Sequence, residues 1–155
     1  MNEYLVVKWL HVLSSTILFG TGIGSAFYML TASLGRDARV VHATVRKVVL
    51  ADWIFTTPAV IVQPLTGFWL VHLAGFDWTH RWILWSIVLY LLAGACWLPV
   101  VWMQIRMEGM AREAAQRGAP LPERYFRWLR VWIALGIPAF LALVVVFYLM
   151  VAKPA

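Results

Sequence analysis

Four polar or ionisable side chains lie inside long apolar stretches of this 155-residue chain, at positions where they could support chemistry: His11, Asp52, Gln63 and His72. An ionisable group near the centre of a bilayer costs about 2.5–3.5 kcal/mol on insertion scales, so each one needs a partner or a function. The helix face that follows His11 carries Ser15, Leu18, Gly22 and Ser25. This spacing predicts a polar site that faces the inside of a helix bundle.

His11 could act as an axial ligand of a haem or as a proton relay. The alternative is a structural histidine that hydrogen-bonds a serine or a carbonyl. His72 and His80 are expected near the same membrane surface as His11, which makes His72 the second candidate haem ligand. However, His72 follows Gln63 by nine residues and projects from nearly the opposite side of a regular helix, unless Pro64 changes the phase. His42 is predicted to be a cytoplasmic surface residue.

Asp52 has two interpretations. It could form an ion pair with Arg46 or Lys47 at the end of a helix, or it could begin a polar track that continues through Thr56 and Gln63. Gln63 precedes Pro64, and we expect it to cap the carbonyl that the proline leaves free. A separate stripe of sulfur side chains comprises Met103, Met107 and Met110. It could bind copper but is more typical of flexible apolar packing.

The composition indicates a membrane protein. Hydrophobic residues make up 63% of the chain and charged residues only 13%, which is far from the balance of a soluble domain. The net charge of +6 comes from basic blocks between apolar runs, so it indicates membrane topology and no nucleic acid partner is expected. Cys96 is the only cysteine, which excludes a disulfide within one chain.

Four apolar runs are long enough to cross the roughly 30 Å hydrocarbon core. They cover residues 4–31, 48–73, 81–105 and 128–152. Residues 38–47 also have a helical pattern and should continue directly into the second run. The third connection should begin with an amphipathic helix that ends at Gly118. The sequence therefore predicts one domain over residues 1–155, an all-α integral membrane four-helix bundle.

Basic residues are concentrated in two of the connections. The first connection carries four and the third carries six, whereas Lys8, Arg81 and Lys153 remain for the other side. The positive-inside rule then places both termini outside. Gly20 and Gly24 have the spacing that allows close helix approach, either inside the bundle or in a dimer.

Three segments carry a family resemblance: Val6-Val-Lys-Trp-Leu-His-Val-Leu, Arg46-Lys-Val-Val-Leu-Ala-Asp-Trp-Ile-Phe-Thr-Thr-Pro and Trp97-Leu-Pro-Val-Val-Trp-Met-Gln. Through them, nearly the whole chain resembles an uncharacterised family of bacterial integral membrane proteins, classed as a domain of unknown function. More distantly, the Leu-His-Val start of the first span is similar to HemJ-type protoporphyrinogen oxidases and to the CopD membrane domain. The HemJ likeness implies a haem-binding role for His11. The third-helix lysine of that family has no counterpart in the third span, which argues against protoporphyrinogen oxidation.

The leading hypothesis is a haem b-binding redox or electron-transfer protein of the bacterial inner membrane, with His11 and His72 as candidate iron ligands. A non-catalytic accessory or assembly subunit is the rival, and copper or small-solute transport is a third alternative. The lipid bilayer is the expected environment. A homo-oligomer or a larger membrane complex is compatible with the sequence, which does not decide whether the protein is an enzyme.

Overall fold

The computed structural model describes residues 2–154, which form five α-helices and one π-helical turn. Their bounds are α1 Glu3–Leu34, α2 Ala38–Ala51, the π-helical turn Asp52–Thr56, α3 Thr57–Leu73, α4 Arg81–Arg117 and α5 Glu123–Ala152. Four helical units are long and apolar enough to cross a membrane, because α2, the π-helical turn and α3 form one continuous rod. The all-α four-helix prediction is therefore confirmed. We call the end that carries the α3–α4 loop the outer end, following the charge bias.

Short polar residues set the helix ends at the opposite end of the bundle, which we call the cytoplasmic end on the same charge bias. The Asp37 carboxylate accepts hydrogen bonds from the backbone N–H groups of Arg39 and Val40, at 2.8 and 3.3 Å, and so caps α2. At the end of α4, Gly118 adopts φ +60°, a left-handed conformation that glycine takes without steric cost. The amphipathic extension that ends at Gly118 is thus part of α4 itself.

The cytoplasmic half of the bundle is closely packed. Its core includes Val41, Val45 and Val48 of α2, Met103, Met107 and Ala111 of α4, and Tyr125 and Leu129 of α5. The methionine stripe lies in and against this apolar core, with Met107 fully buried, so it contributes to helix packing. His42 keeps 27% of its side-chain surface exposed and has its Nδ1 3.1 Å from Glu108 Oε1, so it lies at the surface of the bundle against α4.

The outer half of the bundle is split into two helix pairs. There α1 packs on α3, and α4 packs on α5. Phe19 of α1 spans the gap midway along the bundle, stacking on Phe140 and meeting Phe147 edge to face, each with ring centroids 5.2 Å apart. At the outer rim the Lys153 ammonium lies 4.9 Å from the Phe76 ring centroid. Because the two pairs touch at few places, space remains between them.

The glycine stripe of α1 does not pack inside the bundle. Ideal Cβ atoms added at Gly20 and Gly24 would meet no atom within 4 Å, so close helix approach within this chain does not depend on these positions. The close approach occurs instead at Gly67 of α3, where an added Cβ would lie 3.2 Å from Cε1 of the His11 ring. The prediction that the α1 glycines pack within the bundle is therefore wrong.

The π-helical turn divides the polar stripe that the sequence predicts as one track. It ends two residues before Pro58, which has no N–H to bond the Ile54 carbonyl in an α-helical register. One inserted residue rotates everything after it by about 100°. Asp52 consequently lies towards α4, whereas Gln63 faces α1.

A hydroxyl on α4 satisfies the carbonyl that Pro64 leaves free. Proline lacks the N–H that would bond the Val60 carbonyl one turn earlier. The Tyr90 hydroxyl donates to this carbonyl at 2.8 Å. Gln63 was expected to fill this role but has other partners. Tyr90 therefore connects the two helix pairs at a point where an unpaired carbonyl would be costly in lipid.

Replacing Tyr90 by phenylalanine should destabilise the protein by about 0.5–1.5 kcal/mol, because the Val60 carbonyl loses its donor. In a Pro64→Ala background the same replacement should cost less, since residue 64 then supplies an N–H. Tyr148→Phe, at a tyrosine that is 66% exposed, is the matched control. The measurement is reversible unfolding in mixed micelles. Equal costs for Tyr90→Phe in the two backgrounds would contradict this account.

Candidate functional site

A cavity of about 660 Å³ lies between the two helix pairs in the outer half of the bundle. We call it the outer cavity. Its size is within the range of about 300–1,000 Å³ that is usual for ligand pockets. Its walls are mainly apolar and aromatic, and its polar lining includes His11, Gln63, Ser15, Ser86 and Tyr90. An apolar chamber with a few convergent polar groups is the usual form of a small-molecule site.

The hydrogen bonds of His11 determine its tautomer. The Thr66 hydroxyl donates to the Val62 carbonyl at 2.8 Å and so has no second proton to give. It must accept from His11 Nδ1, which lies 2.8 Å away and therefore carries the hydrogen. His11 Nε2 then has a free lone pair and accepts from the Gln63 amide at 3.1 Å. This assignment follows from the hydrogen-bond network as a whole.

Ser14 fixes the orientation of the Gln63 amide. Its hydroxyl donates to Gln63 Oε1, and this leaves the amide nitrogen to face the His11 ring. Gly67 of α3 allows the ring to approach the helix backbone this closely. The four side chains form a continuous network between α1 and α3, which holds the imidazole in one orientation at the cavity wall.

This arrangement is the one that histidine adopts when it binds a metal. Metal-ligating histidines are neutral, present one lone pair, and donate the other ring N–H to an acceptor that orients the ring. Thr66 supplies such an acceptor, and Nε2 is the nitrogen left for a ligand. Only the Gln63 amide covers Nε2, and Gln63 itself lines the outer cavity.

Two cationic side chains lie at the outer rim of the cavity. Lys8 is one turn before His11 on α1, and Lys153 follows the end of α5. Lys153 rests over aromatic rings, and Lys8 lies 5.7 Å from the Tyr4 ring centroid. In residues 2–154 neither lysine forms an ion pair with a carboxylate. The rim is therefore suited to anionic groups on an apolar ligand.

The structure does not bring His72 to His11. The His72 side chain is exposed and does not line the outer cavity, because its helical phase is opposite to that of Gln63 and Pro64 does not change it. His80 is in the α3–α4 loop, where its Nδ1 lies 2.6 Å from the Asp77 carbonyl. Within the part of the chain that is described, no three metal-ligating side chains of the His, Cys, Asp or Glu type cluster together.

A second cavity of about 480 Å³ lies on the cytoplasmic side of Phe19, and we call it the inner cavity. Asp52 lines it with only 5% of its surface exposed, accepting a hydrogen bond from the Thr56 hydroxyl at 2.8 Å. The Gln104 amide approaches the same carboxylate. Among the described residues Asp52 has no cationic partner, so the predicted ion pair with Arg46 or Lys47 does not form.

Four residues line both cavities: Leu18, Phe19, Tyr90 and Leu143.

Sequence reasoning identified His11 and Gln63 but missed Ser14, which bonds Gln63, and Tyr90, which bonds the Val60 carbonyl. The predicted stripe of α1 does line the cavities, with Ser15 in the outer one and Gly22 and Ser25 in the inner one. Ser14 was missed although its spacing of three residues from His11 is a helical-face signal. The role of Tyr90 had no local signal, because it depends on a contact between distant helices.

Thr66→Val should leave the His11 N–H without an acceptor and destabilise the α1–α3 contact. The expected cost is about 0.6–1.7 kcal/mol, the range for hydrogen bonds between membrane helices. Thr16→Val is the matched control, because the Thr16 hydroxyl bonds only the Val12 carbonyl of its own helix. Unfolding in mixed micelles measures both variants. If the two substitutions lower the free energy of unfolding equally, the hydrogen bond between His11 and Thr66 is not important for stability.

Comparisons with known proteins agree with this membrane architecture. No curated protein and no solved structure matches the chain. The family model described as predicted integral membrane protein (DUF2269) matches residues 5–154, which covers all of the helices described above except part of the first turn of α1. The chain belongs to this family of integral membrane proteins.

Proposed function

We propose that the outer cavity binds haem b, with His11 as an axial ligand, and that the protein takes part in electron transfer in the bacterial inner membrane. One observation carries this proposal. A neutral imidazole, whose Nδ1–H is held by Thr66, lines an apolar cavity of about 660 Å³ and has a lone pair on Nε2 that accepts from the Gln63 amide.

The residues around the cavity fit such a group. Haem has a large apolar body, an iron that accepts an imidazole nitrogen, and two carboxylates at one edge. The walls include Phe76, Trp82 and Phe147, which provide aromatic surface for the macrocycle. Lys8 and Lys153 at the rim could neutralise the carboxylates. When bound, haem would supply reversible one-electron redox chemistry.

Each polar residue then has a specific task. Thr66 holds the imidazole ring in the orientation and tautomer needed for ligation. For His11 to bind iron, Gln63 must turn its amide away from Nε2, because the amide N–H and the iron cannot share one lone pair. The Ser14 hydroxyl already bonds the Gln63 side chain, so it can keep a hydrogen bond to the displaced amide. The proposal needs one histidine, His11, because His72 lies outside the cavity.

The accessory-subunit hypothesis has its own support. Both ring nitrogens of His11 already have hydrogen-bond partners, so the network holds α1 against α3 without any ligand. The two hypotheses differ over Gln63. If His11 binds haem, Gln63→Ala uncovers Nε2 and preserves or increases haem content. If His11 only joins helices, the same change lowers stability and has no spectroscopic effect.

The test is the visible spectrum of the protein purified from haem-replete cells, both oxidised and reduced with dithionite. We expect a Soret band and reduced α and β bands in the wild type, and their loss in His11→Ala. His72→Ala is the matched control and should keep them, because His72 does not line the cavity. A colourless wild type, or a His11→Ala variant that keeps its haem, would contradict the proposal.

A further inference from the structure

The inner cavity is connected to the lipid side of the bundle. Several of its wall residues are also exposed on the outer surface of α1 or α5: Ile23 is 44% exposed, Phe27 61%, Ile137 56% and Phe140 42%. All are apolar and belong to membrane-crossing helices. A gap between α1 and α5 at these residues would be accessible to molecules that are dissolved in the bilayer.

The buried wall of this cavity is polar, in contrast to its opening. Asp52, Thr56 and Gln104 are each at most 5% exposed. Gln104 Oε1 is buried without a hydrogen-bond partner among residues 2–154, and so is Nε1 of Trp132, which also lines the cavity. Native proteins rarely leave such groups unpaired, because an unpaired buried donor or acceptor is destabilising. The cavity thus combines an unpaired acceptor, an unpaired donor and a carboxylate without a cation.

A hydroxyl group on an apolar ring complements these groups. It can donate to the Asp52 carboxylate or to Gln104 Oε1, and it can accept from the Trp132 indole N–H. Trp97, Tyr90 and Phe140 provide aromatic surface for the ring. A hydrocarbon tail on the same molecule could leave through the gap between α1 and α5.

We propose that the inner cavity is a binding site for a lipophilic quinol, with its head group between Asp52, Gln104 and Trp132 and its tail towards the lipid. An acyl chain would fill the apolar part of the cavity but leave the polar groups unpaired. Water would satisfy these groups but leave the aromatic wall without a contact. The proposal concerns a separate cavity and does not depend on haem binding at His11.

The first test compares two ligands that share one ring and one tail. A para-benzoquinol with a decyl tail, kept reduced, and its dimethyl ether are titrated into the detergent-solubilised protein by calorimetry. The ether has no hydroxyl proton to donate. We expect it to bind at least about tenfold more weakly, because the buried acceptor would then be left without a hydrogen bond. Equal affinities would mean hydrophobic partitioning only and would overturn the proposal.

The second test locates the quinol. Trp132→Phe should weaken quinol binding about fivefold or more, because it removes the indole donor and keeps an aromatic ring. Trp85→Phe is the matched control, since Trp85 is 56% exposed and lines neither cavity. His11→Ala should bind quinol as the wild type does. If His11→Ala loses binding while Trp132→Phe keeps it, the quinol is in the outer cavity and the proposal is wrong.

Discussion

The structure depends on one constraint, namely that polar groups inside a bilayer must find their partners within the protein. Apolar contact alone gives little preference between helix and lipid, so the satisfied polar groups decide where helices meet. Two such contacts join helices within the apolar runs: the His11 network between α1 and α3, and Tyr90 on the carbonyl freed by Pro64. A third, the buried pair of Ser33 and Tyr125, whose hydroxyls are 2.7 Å apart, joins α1 to α5 just beyond the apolar runs at the cytoplasmic end. Each lies at a different depth, and together they determine how the helix pairs are arranged.

The two halves of the bundle use this constraint differently. On the cytoplasmic side, valines of α2 and methionines of α4 pack densely around Tyr125, and the inner cavity lies between this core and Phe19. On the outer side, α1 and α3 separate from α4 and α5, and the space between them holds an oriented imidazole. The walls of the two cavities together carry more polar groups than are needed to hold the helices together. We regard this surplus as the main reason to propose ligands instead of a purely structural role.

Much of the fold could be predicted from the sequence, because it depends on length, hydrophobicity and charge. The four crossings, the continuous rod that begins at Ala38 and the helix end at Gly118 all follow from local patterns. The site was less predictable. The π-helical turn before Pro58 rotates Asp52 away from the face of Gln63, and regular helical spacing cannot anticipate such a shift. Likewise, the sequence shows that two glycines could pack closely on α1 but not that the close approach is at Gly67.

The most direct test of the account is an electron-microscopy map of the protein in lipid nanodiscs, purified from haem-replete cells and bound to a rigid antibody fragment. The account predicts planar density in the outer cavity that is continuous with His11 Nε2, with the Gln63 amide turned aside towards Ser14. A map in which α4 and α5 close against α1 and α3, with no cavity beside His11, would contradict it.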